Sequence, residues 1–155
     1  MKVTKLAFVL MILLFIGCQS KPKKEIVKTS PETIGLNFIN DYMRNIENLD
    51  FVEWIEKYPR TTKSFKLEIK RLVDEAEKEA PGYGLGFDPI LDAQDYPDKG
   101  FNLKSIDTVA GYMSVIGRDW ESFVVTIKLT RENSKWMIDG CGMVNIPMEK
   151  QASRD

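Results

Sequence analysis

The chain has 155 residues, of which 43% are hydrophobic and 29% charged, with a formal net charge of -1 and no histidine. This composition is typical of one globular domain with extensions. The lack of histidine excludes Ser-His-Asp and Cys-His catalysis, histidine-ligated zinc and imidazole pH switches. The slightly acidic balance leaves no basic surface adequate for neutralising phosphates, so we expect no nucleic-acid partner.

The N-terminus has the pattern of an export signal. Two lysines precede an apolar run at residues 6–16. A helix that spans a bilayer needs about 20 apolar residues, so this run is too short to be a stable membrane span. Gly17 and Cys18 follow directly, and a polar, lysine-rich stretch comes after them. We therefore predict a signal peptide over residues 1–17.

The segment LFIGC at residues 14–18 resembles the lipobox of bacterial lipoproteins, in which a signal peptidase cuts before a cysteine linked to diacylglycerol. The resemblance implies lipidation of Cys18 and attachment to a membrane through its acyl chains. Gln19 at the next position resembles lipoproteins sorted to the outer membrane, and the lack of a following acidic run implies the periplasmic leaflet. The polar composition of residues 18–29 predicts a flexible tether. The alternative is an ordinary signal peptide with an incidental cysteine.

Helical patterns open the folded domain, which we predict to span residues 30–148, with a C-terminal tail at residues 149–155. Ser30 and Pro31, followed by an acidic residue, are an N-cap and a first-turn proline in a setting that suits the helix dipole. Apolar residues then recur on one face to about residue 48. The pattern predicts a first amphipathic helix.

Two further helices are predicted before the chain changes character. Asp50 is placed to cap a short helix at Phe51–Lys57, which Pro59 stops. Thr61 or Thr62 opens a third helix, which ends before a Pro-Gly pair. The buried stripe of this third helix is predicted to consist of Phe65, Ile69, Leu72, Val73 and Ala76.

In the C-terminal part, apolar and polar residues alternate with a period of two, the pattern of strands with one face in the core. We predict strands at residues 103–110, 111–116 and 122–130. A turn at residues 131–134 leads into a partner strand at residues 135–146. Helices followed by antiparallel strands predict an α+β fold rather than a βαβ fold.

Between helices and strands, Asp88, Asp92, Asp95 and Asp98 recur every three or four positions. Three interpretations stay open. The favoured one is that the acids cap a turn, bond their own backbone and face water. In the second, polar side chains of the loop point into a cleft and bind a ligand or partner. The third is an oxygen-ligand cation site, although the spacing lacks the EF-hand pattern. The candidate binding residues are Asp88, Asp92, Gln94, Asp95 and Tyr96.

Three helices followed by a hairpin of sequence TRENSKWMIDG, at residues 130–140, resemble the nuclear transport factor 2-like, or cystatin-like, cone. This resemblance covers residues 30–147 and implies N-terminal helices packed on a curved antiparallel sheet. The amino-acid sequence of residues 88–96 also resembles that of an uncharacterised family of bacterial exported lipoproteins of this fold. Neither resemblance implies an activity, because the fold hosts isomerases, dehydratases and non-enzymatic binders.

Cys141 is the only cysteine left if Cys18 is lipidated, so an intramolecular disulfide is excluded. It lies between two glycines and has no histidine partner. We predict a buried, inert thiol.

The leading functional hypothesis is an envelope lipoprotein whose periplasmic domain binds a small ligand, peptide or protein without catalysis, with no cofactor, metal or catalytic residue assigned. One alternative is a carboxylate-dependent isomerase or hydrolase. Another is an immunity or inhibitor protein that plugs a toxin. For the enzyme, Asp95, Asp107 or Asp139 would be the base. The residues predicted to supply donors or walls are Tyr83, Tyr112 and Trp120.

Overall fold

The computed structural model describes residues 29–48 and 50–153, which contain three α-helices followed by a four-stranded antiparallel sheet. The predicted α+β class is confirmed. The signal peptide, Cys18 and nearly all of the tether lie outside the described residues. The elements are α1 (Pro31–Asn45), continued by a 3-10 turn at Ile46–Asn48, α2 (Phe51–Lys57), α3 (Lys63–Glu79), β1 (Phe101–Asp107), β2 (Tyr112–Gly117), β3 (Val124–Glu132), β4 (Lys135–Cys141) and a 3-10 turn at Met148–Lys150.

Each helix begins where its capping residue was predicted. The side chains of Ser30, Asp50 and Thr62 accept hydrogen bonds from the main-chain N–H three residues ahead, at 3.2, 3.0 and 3.1 Å respectively. Thr61 is not the cap, because its hydroxyl donates to two main-chain carbonyls at the end of α2. Local side-chain chemistry therefore sets the first two starts, and the contact of Thr61 with the end of α2 decides the third.

The predicted buried stripe of α3 is right only for its first half. Phe65 and Ile69 are buried, whereas Leu72, Val73 and Ala76 are half-buried. The reason is length: α3 has 17 residues, while α2, the helix that packs beside it, has seven. A helix rises about 1.5 Å per residue, so α2 covers less than half of α3.

The sheet is an open meander in the order β1-β2-β3-β4, with every neighbouring pair antiparallel. The predicted turn at residues 131–134 is shorter in the structure, because Asn133 and Ser134 both have positive φ, 50° and 64°. Two such residues make the turn type that suits the twist of a two-residue hairpin. As a result β3 continues to Glu132.

The last strand is shorter than predicted. β4 ends at Cys141, not at residue 146, because Gly142 has a φ of 62° and the chain folds back on itself. The main-chain groups of Cys141 and Val144 exchange two hydrogen bonds of 3.0 Å across this bend. Val144 is thereby buried in the core beside the strand that precedes it.

Both edges of the sheet are held by the helical layer. The main chain of Ile138 in β4 bonds to Arg60 and Thr62 at 2.7 and 2.9 Å, so the link before α3 covers that edge. At the other edge, the Asn40 amide accepts from Phe101 N at 2.9 Å and donates to Phe101 O at 3.1 Å. Asn40 thus bonds the start of β1 as a neighbouring strand would.

The core lies between α1 and the inner face of the sheet, where Phe38, Ile39, Phe101 and Ile127 have no exposed surface. The opposite face meets the C-terminal segment, because the Thr126 hydroxyl donates to the carbonyl of Lys150 at 2.8 Å. No helix within residues 29–48 and 50–153 combines the length and apolarity that a bilayer crossing requires.

Candidate functional site

The aspartate-rich stretch begins with a closed six-residue loop at residues 88–93. The main chains of Asp88 and Ala93 exchange two hydrogen bonds of 2.9 and 3.2 Å. Asp88 Oδ1 also accepts from the main-chain N–H groups of Ile90 and Leu91 at 2.8 and 2.9 Å. This is the turn-capping geometry that the favoured interpretation of the sequence predicts.

Asp88 faces the core, so the prediction that the acids of this stretch face water is wrong for this residue. Its Oδ2 accepts a 2.6 Å hydrogen bond from the hydroxyl of Tyr42, which lies on α1 and is 1% exposed. Burial raises the pKa of Asp88, against the opposing effect of the bonds from Tyr42, Leu91 and Ile90. Burial and the neighbouring Asp88 also raise the pKa of Tyr42. The hydrogen bond between Tyr42 and Asp88 therefore connects the loop to α1.

The same loop is seated on the bend that follows β4. Ile90 and Leu91 have no exposed surface, and Met143 N donates to Pro89 O at 3.2 Å. Cys141 Sγ lies 3.4 Å from Ile90 O. Cys141 is buried as predicted, and burial raises the pKa of its thiol, which keeps it in the less nucleophilic protonated form.

The other candidate residues of this stretch lie in different parts of the surface. Gln94 and Asp95 are exposed, and Gln94 Nε2 donates to Gly86 O at 3.0 Å. Asp92 is half-buried with a φ of 55°, and Tyr96 lines a separate depression beside the end of α1. The structure therefore brings Gln94 and Asp95 into one cleft, which Asp88, Asp92 and Tyr96 do not line.

This cleft has a volume of about 370 Å³ and lies between the loop, the β2–β3 turn and the C-terminal segment. Trp120, which the sequence suggests as a wall residue, forms its other side. Sequence reasoning missed the other four described lining residues; a clue to Ser122 and Phe123 was a tryptophan placed in a short polar turn between strands. The lining residues are Ala93, Gln94, Asp95, Trp120, Ser122, Phe123 and Ser153.

Trp120 is 43% exposed, yet its side chain is held in place by contacts within its own turn. Its indole Nε1 donates to Ser122 Oγ at 2.9 Å, and its ring centroid lies 5.1 Å from that of Phe123. The turn itself is closed by hydrogen bonds of 2.9 Å from Phe123 N to Trp120 O and from Gly117 N to Phe123 O. An exposed aromatic ring on a braced turn is a common feature of binding surfaces.

Two of the three carboxylates considered for catalysis, Asp107 and Asp139, already have partners. Asp139 accepts a 2.7 Å hydrogen bond from the Thr62 hydroxyl and forms a 2.9 Å ion pair with Lys128. Asp107 accepts from two main-chain N–H groups of the β1–β2 turn, both at 2.9 Å. Neither residue lines the cleft that contains Asp95. The described part of the chain also contains no cluster of three or more acidic or cysteine residues suited to a metal ion.

The fold and the site define an α+β protein with an open antiparallel sheet and a cleft formed by a loop and a turn. Comparison of the chain with protein-family models, curated proteins and solved structures gives no match. A functional assignment therefore depends on the chemistry of this cleft.

Proposed function

We propose that this chain is a bacterial lipoprotein, anchored through Cys18 to the periplasmic face of the outer membrane, whose folded domain is a non-catalytic binding module. The cleft in which exposed Trp120 lies beside Gln94 and Asp95 carries the binding role. The proposed occupant is a small ligand, a peptide or a protein loop, because a surface cleft of about 370 Å³ accommodates any of these groups. The resemblance of residues 14–18 to a lipobox supports the anchor.

We further propose that the fold is the nuclear transport factor 2-like, or cystatin-like, cone. The support is the order of three helices followed by four antiparallel strands, with Trp136 in the final hairpin.

A binding role explains the cleft better than catalysis does. Catalysis by a carboxylate base requires donors that converge on the same reacting group. Asp107 and Asp139 instead bond to the chain around them. Asp95 is left as an exposed carboxylate beside an aromatic ring, which suits recognition of a partner.

Replacing Trp120 by alanine is expected to lower the amount of bound partner or ligand at least about fivefold, because aromatic anchors dominate binding energies. The measurement is cross-linking in cells, purification of the lipidated protein, and native mass spectrometry of what co-purifies. Tyr83→Ala is the matched control, since Tyr83 is an 86% exposed aromatic residue outside the cleft. Equal retention by Trp120→Ala and wild type would contradict the proposal.

Replacing Cys18 by serine is expected to abolish labelling with palmitate and to release the protein from washed membranes. Each buried methylene of an acyl chain contributes about 0.8 kcal/mol, so loss of the lipid removes the membrane affinity. Cys141→Ala is the control for the other cysteine of the chain and should retain the label. Persistent labelling of Cys18→Ser would show that the lipid is attached elsewhere.

A further inference from the structure

The strongest polar group of the cleft is a hydrogen-bond acceptor. Gln94 Nε2 donates one of its two hydrogens to Gly86 O, and Trp120 Nε1 donates its only hydrogen to Ser122 Oγ. The carbonyl Oε1 of Gln94 and the carboxylate of Asp95 accept no hydrogen bond from the described residues. The free side-chain donors of the described lining residues are the second amide hydrogen of Gln94 and the hydroxyls of Ser122 and Ser153, all of them neutral, whereas the acceptors include the charged carboxylate of Asp95.

The only charged group among the described lining residues of the cleft is the carboxylate of Asp95, which forms no ion pair within residues 29–48 and 50–153. Asp119 and Glu121 flank Trp120 on the same turn and are exposed, whereas the guanidinium of Arg118 on that turn donates to Asn102 Oδ1 and Lys99 O. A cleft whose described lining carries one unpaired carboxylate favours an occupant that donates hydrogen bonds and carries positive charge.

A contact within this chain shows how a guanidinium packs on an indole ring. Arg131 lies over Trp136 with its central carbon 4.5 Å from the ring centroid. No cation of the described residues lies over Trp120 in this way. Because its N–H is already bonded, the exposed part of the Trp120 ring offers π surface, which attracts a cation.

We infer that the cleft binds an arginine side chain of a protein or peptide partner. The guanidinium stacks on Trp120 and donates to the Asp95 carboxylate and to Gln94 Oε1. Arginine suits this arrangement because its planar group stacks on aromatic rings and carries five donors in a fork that matches a carboxylate. A carbohydrate suits it less, because a neutral sugar brings no positive charge to the unpaired carboxylate of Asp95 or to the exposed ring of Trp120. This inference depends on the proposed binding role of the same cleft.

The test uses the full lipidated protein in detergent micelles and two probes, acetyl-Gly-Arg-Gly-amide and its neutral citrulline analogue. The indole NMR signal of Trp120 should shift saturably with the arginine peptide. Binding should be about tenfold weaker with citrulline, which keeps the shape but loses the charge. Asp95→Asn should weaken binding of the arginine peptide about fivefold, and added salt should weaken it further. Glu79→Gln, an equivalent change at an exposed position of α3, should leave binding unchanged.

Equal binding of the two peptides, or an unaltered affinity in Asp95→Asn, would overturn the arginine assignment. A shift of the Trp120 signal by N-acetylglucosamine and not by the arginine peptide would replace it with a carbohydrate site. In either case, loss of partner capture by Trp120→Ala would still support the proposed binding role. A null result in that capture experiment would instead refute the binding role itself.

Discussion

Replacing Gly142 by alanine is expected to lower the free energy of unfolding by about 3 kcal/mol, through left-handed strain and a backbone clash together. Gly142 has a φ of 62°, and a Cβ there would lie 2.4 Å from Ile90 O and 2.5 Å from Pro89 O. Both contacts are with main-chain atoms of the loop that Asp88 closes, so relieving the clash requires the backbone of that loop or of the bend after β4 to move. Urea denaturation of both proteins measures the change.

Gly84→Ala is the matched control for this experiment. Gly84 also has a φ of 62°, but a Cβ there would meet no atom within 4 Å. It should therefore show only the conformational cost of a left-handed residue, about 1 kcal/mol. Equal losses in the two variants would mean that the contact between Gly142 and the loop has no energetic weight.

Replacing Asp88 by alanine is also expected to cost about 3 kcal/mol, because it leaves several buried donors without an acceptor. These donors are the main-chain N–H groups of Ile90 and Leu91 and the hydroxyl of Tyr42. Asp88→Asn keeps an oxygen for the two N–H groups, so it should cost less than half as much. Thermal or urea unfolding at neutral pH measures both, and an asparagine variant as unstable as the alanine variant would contradict this account.

The carboxyl of Asp88 also predicts a pH dependence. Burial raises its folded-state pKa above the unfolded value of about 3.9, so the folded protein holds its proton more tightly. The contribution of this group to stability is therefore full below the unfolded pKa and is lost as the pH rises through the folded pKa. The stability of wild type relative to Asp88→Asn should fall as the pH is raised from acid toward neutrality. A difference that does not change with pH would contradict the raised pKa.

The helices were predictable because their signals are local. A capping hydroxyl or carboxylate acts on an N–H three residues away, so Ser30 and Asp50 could be recognised without knowing the fold, and the third cap could be narrowed to Thr61 or Thr62. The choice between Thr61 and Thr62 was not local, since it depends on how Thr61 meets the end of α2. The end of β4 was predictable in part. Gly142 indicates a bend, but no local signal indicates that the loop at residues 88–93 packs on that bend.

The candidate site was predictable only in part. Gln94 and Asp95 belong to the loop singled out by its aspartates, and they do line the cleft. Ser153 carried no signal at all, because it follows the predicted end of the domain and reaches the cleft only through the packing of the C-terminal segment. Asp88 showed its capping role in sequence but not its bond to Tyr42, which comes from a residue 46 positions away.

The amino-acid order alone determined the exclusion of histidine chemistry, the class of fold and the starts of the first two helices. It also contains the resemblance that implies a lipid on Cys18, and this lipid stays a prediction. These depend on residue types and on spacings within one or two turns of chain. Tertiary structure decided which acids face inward and which face solvent. Asp88 faces the core because Ile90 and Leu91, apolar residues of the same loop, are buried against β4. Asp95 faces solvent in the cleft that Trp120 also lines. Burial of apolar surface is a property of the whole chain, and no local pattern contains it.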